Sequence, residues 1–248
     1  MAMCGKGGVG KTTTAALMVK AMADRGNKKI LAIDADPAIG LSYALGIKVV
    51  KTVDDVRNNL IENIREEKTD DKANTLHKLD YEIFDALVEN KNFALLAIGR
   101  PEGEGCYCQV NHLLKDIIES LSKNFDVIII DGEAGIEQIN RRVMKNVDHL
   151  ILVSDTSAKG LNVAKTIKKV AHDNKAVDYK STGLLLNRIK DKEEVNTIMN
   201  QVDLNLLGWI PEDDLIREYD FKGRPYLDFP KVSPASEVIH NILDSIGI

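Results

Sequence analysis

Short, almost continuously apolar runs alternate with stretches of helical periodicity along most of this chain. The runs Lys29 to Ile33, Phe93 to Ile98, Asp126 to Ile130, His149 to Val153, Thr182 to Leu186 and Leu204 to Ile210 read as strands covered on both faces of a sheet. Between them, Thr12 to Arg25, Val53 to Glu67, Asn111 to Ser122, Glu137 to Lys145, Gly160 to Asp173, Glu193 to Gln201 and Ala235 to Ile246 carry the pattern of helices. Strands and helices in alternation predict an α/β fold: a doubly wound, mostly parallel sheet with crossover helices on both faces. In such a sheet ligands gather at the C-terminal strand ends. Two places break the pattern. Only Met1 to Cys4 precede a glycine-rich turn, so the first strand is either very short or has lost its start, since a strand usually takes about five or six residues. Lys68 to Asp80 is charged without a clear period, which predicts a mobile excursion.

Length and composition narrow the class. With 248 residues, 44% hydrophobic and only 6 prolines, the chain can bury one large core, and no linker divides it, so residues 1–248 are expected to be a single domain. A net charge of -5 gives no support to a nucleic-acid partner, which needs a basic face. No apolar stretch approaches a membrane span and the N-terminus has no room for a signal peptide, so a cytoplasmic protein with no membrane partner is expected. Three cysteines, unevenly placed, do not make a disulfide framework.

The strongest chemical signal is Gly5-Lys6-Gly7-Gly8-Val9-Gly10-Lys11-Thr12-Thr13, which fits the phosphate-loop pattern of a P-loop NTPase and adds a lysine at its second position. Glycines let successive backbone N–H groups turn inward around phosphates. Lys11 would reach the β- and γ-phosphates, the Thr12 hydroxyl would ligate Mg²⁺, and the helix that follows points its positive end at the anion. Asp34-Ala35-Asp36-Pro37 closes the second strand with two carboxylates. Asp34 is expected to hold Mg²⁺ or its waters and Asp36 to orient the nucleophilic water, although an Asx turn before proline would also place an aspartate there. Asp131 ends the hydrophobic run from Asp126, as a Walker B carboxylate does, directly or through water to the metal. Gly132-Glu133-Ala134-Gly135 then offers glycines for a loop that moves when the γ-phosphate is lost.

With its extra lysine, Lys6 to Thr12 resembles the deviant Walker A motif of the MinD, ParA and nitrogenase iron protein group of ATPases. Asp34 to Pro37 and Asp131 to Gly135 are similar to that group's switches, and the resemblance covers nearly the whole chain. It implies an ATPase using ATP and Mg²⁺, with Lys6 crossing a homodimer interface to the partner's nucleotide, where an added cation stabilises transition-state charge. It also implies adenine contacts at Asn187 and Arg188 and at Pro211 and Glu212. The Asn187 amide both donates and accepts, as a purine edge requires, whereas Arg188 and Glu212 also fit a surface ion pair.

Cys106 and Cys108 form the other chemical feature. Their two-residue spacing, in a glycine-rich segment before a helix N-terminus, favours thiolates. Two soft ligands are half of a tetrahedral site, and a second copy of the chain would complete it around Zn²⁺ or Ni²⁺. Buried packing and redox chemistry are the competing readings; His112 could add a ligand or be structural, and Cys4 reads as packing. The segment Gly99 to Cys108, followed by Asn111-His112-Leu113-Leu114, resembles the CooC subfamily. That resemblance implies an ATP-dependent metallochaperone for nickel insertion into carbon monoxide dehydrogenase or acetyl-CoA synthase, dimeric on ATP or metal binding. Two alternatives remain. A nitrogenase-type reductase needs a cysteine beside the second switch, and Ile130 to Glu137 has none. A MinD- or ParA-like positioning ATPase needs a membrane or DNA surface, and the C-terminal helix has only His240 as a possible cation.

Overall fold

The computed structural model describes residues 1–65, 72–100, 108–132, 146–173 and 178–248, with the side chains of 63–65, 72–78 and 108–113 left aside. Its strands are β1 (Ala2–Cys4), β2 (Ile30–Asp34), β3 (Val88–Glu89), β4 (Ala94–Ala97), β5 (Val127–Asp131), β6 (Asn146–Ser154), β7 (Asp178–Ile189) and β8 (Leu206–Pro211). The helices are α1 (Lys11–Arg25), α2 (Gly40–Leu45), α3 (Val53–Arg65), α4 (Lys72–Asp85), α5 (Cys108–Ser122), α6 (Ala158–Asp173), α7 (Lys192–Met199), α8 (Asp214–Lys222) and α9 (Pro234–Ser245), with a 3₁₀ turn at Tyr226–Asp228. One eight-stranded sheet runs in the order β3-β4-β2-β5-β1-β6-β7-β8. Among the described strands, only the edge strand β3 runs antiparallel to its neighbour.

Strand alternation divides the core into two layers. Ala2, Cys4, Leu31 and Ile33 face a cluster built with α3, α4, α5, α6 and α7. Met1, Met3, Ile30 and Ala32 face the other, built with α1, α2, α8 and α9. Helices therefore cover both faces, as the apolar runs predict. The first strand is three residues long and is paired on both sides, with β5 and β6. Neighbours on both edges compensate for its shortness. Cys4 is fully buried there as a free thiol, and burial pushes its pKa up to about 12, so it packs as a small apolar residue.

The expected excursion over Lys68–Asp80 is corrected in its described part, since α4 begins at Lys72. Leu79 and Ile83, one turn apart, bury themselves in the first core layer and give the helix its reason to form. Helix α8 was not foreseen, although Asp213 caps its start and Gly223, at φ 60°, its end. The expected helix Glu137 to Lys145 lies outside the described residues. Helix α9 is capped by Ser233, whose Oγ accepts from Ser236 N at 3.0 Å, and buries Ile239, Ile242 and Leu243. Each such side chain contributes roughly 1.5–3 kcal/mol on burial. No described helix is long and apolar enough to cross a membrane.

Candidate functional site

Three groups of residues converge where β1, β2, β5 and β7 end. The first is the glycine-rich turn between β1 and α1. Gly8 (φ 83°) and Gly10 (φ 95°) hold left-handed conformations that only glycine adopts cheaply. A Cβ on Gly10 would also collide with Asn187 Nδ2. Lys11, 8% exposed, folds back so that its Nζ donates to Lys6 O at 3.3 Å, while Thr14 Oγ1 donates to Gly10 O at 2.8 Å. The ammonium is thus held within the turn.

The second group is a pair of acids. Parallel pairing of β2 with β5 sets Asp34 beside Asp131 at the C-terminal edge of the sheet. Asp34 is fully buried, and its Oδ2 accepts from Ser42 N at 2.9 Å and Ser42 Oγ at 3.0 Å. Burial raises its pKa, and the Ser42 bonds draw it part of the way back. Asp131 has less support. It is 1% exposed and neither carboxylate oxygen completes a hydrogen bond, although the Thr12 hydroxyl stands near enough to favour the ionised form. Burial is the main reason its pKa is pushed up to about 7, with the Asp34 charge adding to the rise. Two adjacent buried acids, of which Asp131 has both acceptors unmet, next to a threonine hydroxyl fit a hydrated Mg²⁺ ion, which favours oxygen ligands. Asp36 is half-buried and its Oδ1 accepts from Ala38 N at 2.8 Å, so the Asx turn is present here. Ile39 follows at φ 55°, a strained conformation for a β-branched residue, just before α2.

The third group surrounds a pocket of about 390 Å³, lined by Thr13, Asn187, Arg188, Pro211 and Glu212 together with Asp213, Asp220 and Arg217. All four residues expected near adenine therefore share one cavity. Asn187 is more occupied than expected. Its Nδ2 donates to Val9 O at 2.9 Å and its Oδ1 accepts from Arg188 N at 2.9 Å, so the amide braces the glycine-rich turn from behind. A register shift in β7 between Asn187 and Ile189 leaves Arg188 at φ 60° beside the pocket.

Cys106 and the Glu133 to Gly135 part of the expected second switch lie outside the described residues, as do the side chains of Cys108 and His112. Among the described residues, no group of three or more His, Cys, Asp and Glu side chains is gathered as a metal site.

The family model described as an AAA domain matches residues 2–179. A relative from Methanocaldococcus jannaschii, the ATP-binding protein MJ0685, is 40% identical over 99% of this chain and 97% of its own length. The chain is a P-loop ATPase of the MinD and ParA superfamily. The carbon monoxide dehydrogenase accessory protein CooC of Rhodospirillum rubrum is 29% identical over 95% of the ATPase and 90% of itself. The septum site-determining protein MinD of Pyrococcus horikoshii OT3, solved with Mg-ADP, superposes with a TM-score of 0.71 at 25% identity, covering 99% of the ATPase and 94% of MinD.

Sequence reasoning missed Ser42 and Asp220 in this ATPase, because neither belongs to a contiguous motif, and passed over Asp213, although it follows Glu212 directly as the cap of α8. One consequence of the packing is directly measurable. Gly10→Ala is expected to destabilise the ATPase by about 2 kcal/mol or more, through positive φ and the clash with Asn187, and to abolish ATP binding. Gly7→Ala, whose Cβ would meet nothing within 4 Å, should leave the thermal midpoint in place. Equal melting of the two variants would refute the brace.

Proposed function

We propose that this ATPase is a nucleotide-gated dimeric switch, and the observation that carries the reading is Asp131, buried beside Thr12 and Asp34 with both oxygens unpartnered. Thr12, Asp34 and Asp131 would hold Mg²⁺ or its waters, and the ion would neutralise charge on the β- and γ-phosphates. Lys11 adds a second cation at those phosphates, and the backbone N–H groups of Gly7, Gly8, Val9 and Gly10 wrap them, with Thr12 and Thr13 opening α1 beneath. Asp36 orients the attacking water with the carboxylate oxygen that its turn leaves free. Lys6 reaches the nucleotide of a second copy, so that bound ATP clamps two chains. Asn187, Arg188, Pro211 and Glu212 enclose the adenine, Asn187 chiefly by fixing the loop.

The switch admits two uses, and each has a specific observation behind it. Likeness in fold to the Mg-ADP form of MinD favours a positioning ATPase that cycles on and off a surface. The Cys106-Tyr107-Cys108 segment and the likeness to CooC favour a metallochaperone. In that second use the four thiolates of two copies share one Ni²⁺ or Zn²⁺ ion, and hydrolysis loosens the dimer and releases the ion towards a nickel enzyme, carbon monoxide dehydrogenase or acetyl-CoA synthase.

Metal content separates the two. Protein purified without added zinc and then equilibrated with Ni²⁺ or Zn²⁺ should bind about one ion per two chains with ATP and much less without it, and Cys106→Ala/Cys108→Ala should bind none tightly. Unchanged stoichiometry in that variant removes the metal-carrying use. Nucleotide-dependent sedimentation with liposomes or DNA at low salt would then support the positioning use.

A further inference from the structure

The pocket that includes Asn187 is closed on one side by α1 and on another by α8, and one buried side chain ties them. Tyr226, in the 3₁₀ turn after α8, is 2% exposed, with its ring packed against Tyr219 at 5.7 Å and Phe229 at 5.6 Å between centroids. Its hydroxyl donates to Asp220 Oδ1 at 2.7 Å and lies 3.4 Å from Ile216 O, both on α8, while the turn that carries it packs against α1, the helix of Thr13. Asp220 and Thr13 both line the pocket. A phenol buried this deeply needs a polar partner, and here its hydrogen bonds go to the α8 wall. Asp213, a third pocket residue, is fixed as the cap of α8 by accepting from Leu215 N at 2.8 Å. The walls are therefore set by Tyr226 and the cap together.

We propose that Tyr226 is a positioning residue for the nucleoside half of ATP: by bonding Asp220 from a turn packed on α1 it fixes how far the Asp220 wall stands from Thr13 and so sets the width of the base and ribose pocket. This rests on reading that pocket as the nucleoside site. The Tyr226 hydroxyl touches no substrate itself. Burial, reinforced by the Asp220 carboxylate, pushes its pKa upward, so it remains a neutral donor across the working range.

The test compares ATP with inorganic tripolyphosphate, which has the phosphates and no nucleoside. Tyr226→Phe keeps the ring packing and should raise the Kd and KM for ATP about 5–10-fold, the loss of roughly one hydrogen bond, with kcat changed less than about twofold. Tripolyphosphate affinity should stay within about twofold. Asp220→Ala, at an exposed residue, should reproduce the effect even if the phenylalanine variant folds poorly, and the double variant should be no worse than either single one. Equal weakening of both ligands, or additive losses in the double variant, would overturn the proposal. If unaltered protein binds ATP no more tightly than tripolyphosphate, it is the nucleoside reading of the pocket that fails.

Discussion

Lys11→Ala is expected to lower kcat/KM for ATP by about 10³-fold or more while leaving the thermal midpoint nearly unchanged. The side chain stands at the head of α1, where successive amide N–H groups already point at the turn, and its Nζ is held by Lys6 O at 3.3 Å. Its charge therefore occupies a fixed place before any ligand arrives, and a preorganised cation costs little reorganisation as charge develops on the phosphates. Alanine removes that charge but opens no hole in either apolar layer, because Lys11 belongs to neither. Phosphate release under saturating Mg-ATP measures the first effect and a melting curve the second. Turnover near the unaltered rate would mean that the turn is not the catalytic phosphate site.

Asp131→Asn should separate stability from activity. The carboxyl has a pKa of about 7 in the fold against an ordinary 3.8, so ionising it costs the folded state. With the folded value the higher one, that cost is absent below about pH 4, grows up to about pH 7 and is constant above it. The amide cannot ionise and escapes the cost. Nucleotide-free Asp131→Asn should accordingly be more stable than the unaltered protein at pH 8, by about 1–3 kcal/mol, and the gap should close towards pH 4. Mg-ATP turnover should meanwhile fall by about 10²- to 10³-fold, since the amide offers a poorer ligand to the ion. Melting curves at the two pH values with a parallel ATPase assay decide it. A variant less stable than the parent at pH 8 would contradict the picture of a carboxylate waiting for a cation.

The parallel sheet was legible because its strands are buried on both faces and so read as unbroken apolar runs, from Ile30 to Asp34 and from Val127 to Asp131. What escaped notice was short or polar. Helix α2 has six residues, β3 has two, and α4 follows a charged run that hides its buried Leu79 and Ile83. The caps of α8, Asp213 and Gly223, were visible signals that could have found it. Within the site, Gly5 to Thr13 was legible because its chemistry is contiguous. The Ser42 grip on Asp34 and the Tyr226 bracket join residues brought together only by packing, so no local pattern marks them.

Asn187 and Val9 are 178 positions apart, yet one hydrogen bond joins them. The glycine-rich turn is consequently not a portable module. Transplanted to another sheet, it would leave the Val9 carbonyl without its donor, and Gly10 would sit over whatever side chain the new strand presented. In directed evolution of this protein, workable changes at positions 10 and 187 should emerge as pairs, and a screen that varies either alone should find few survivors.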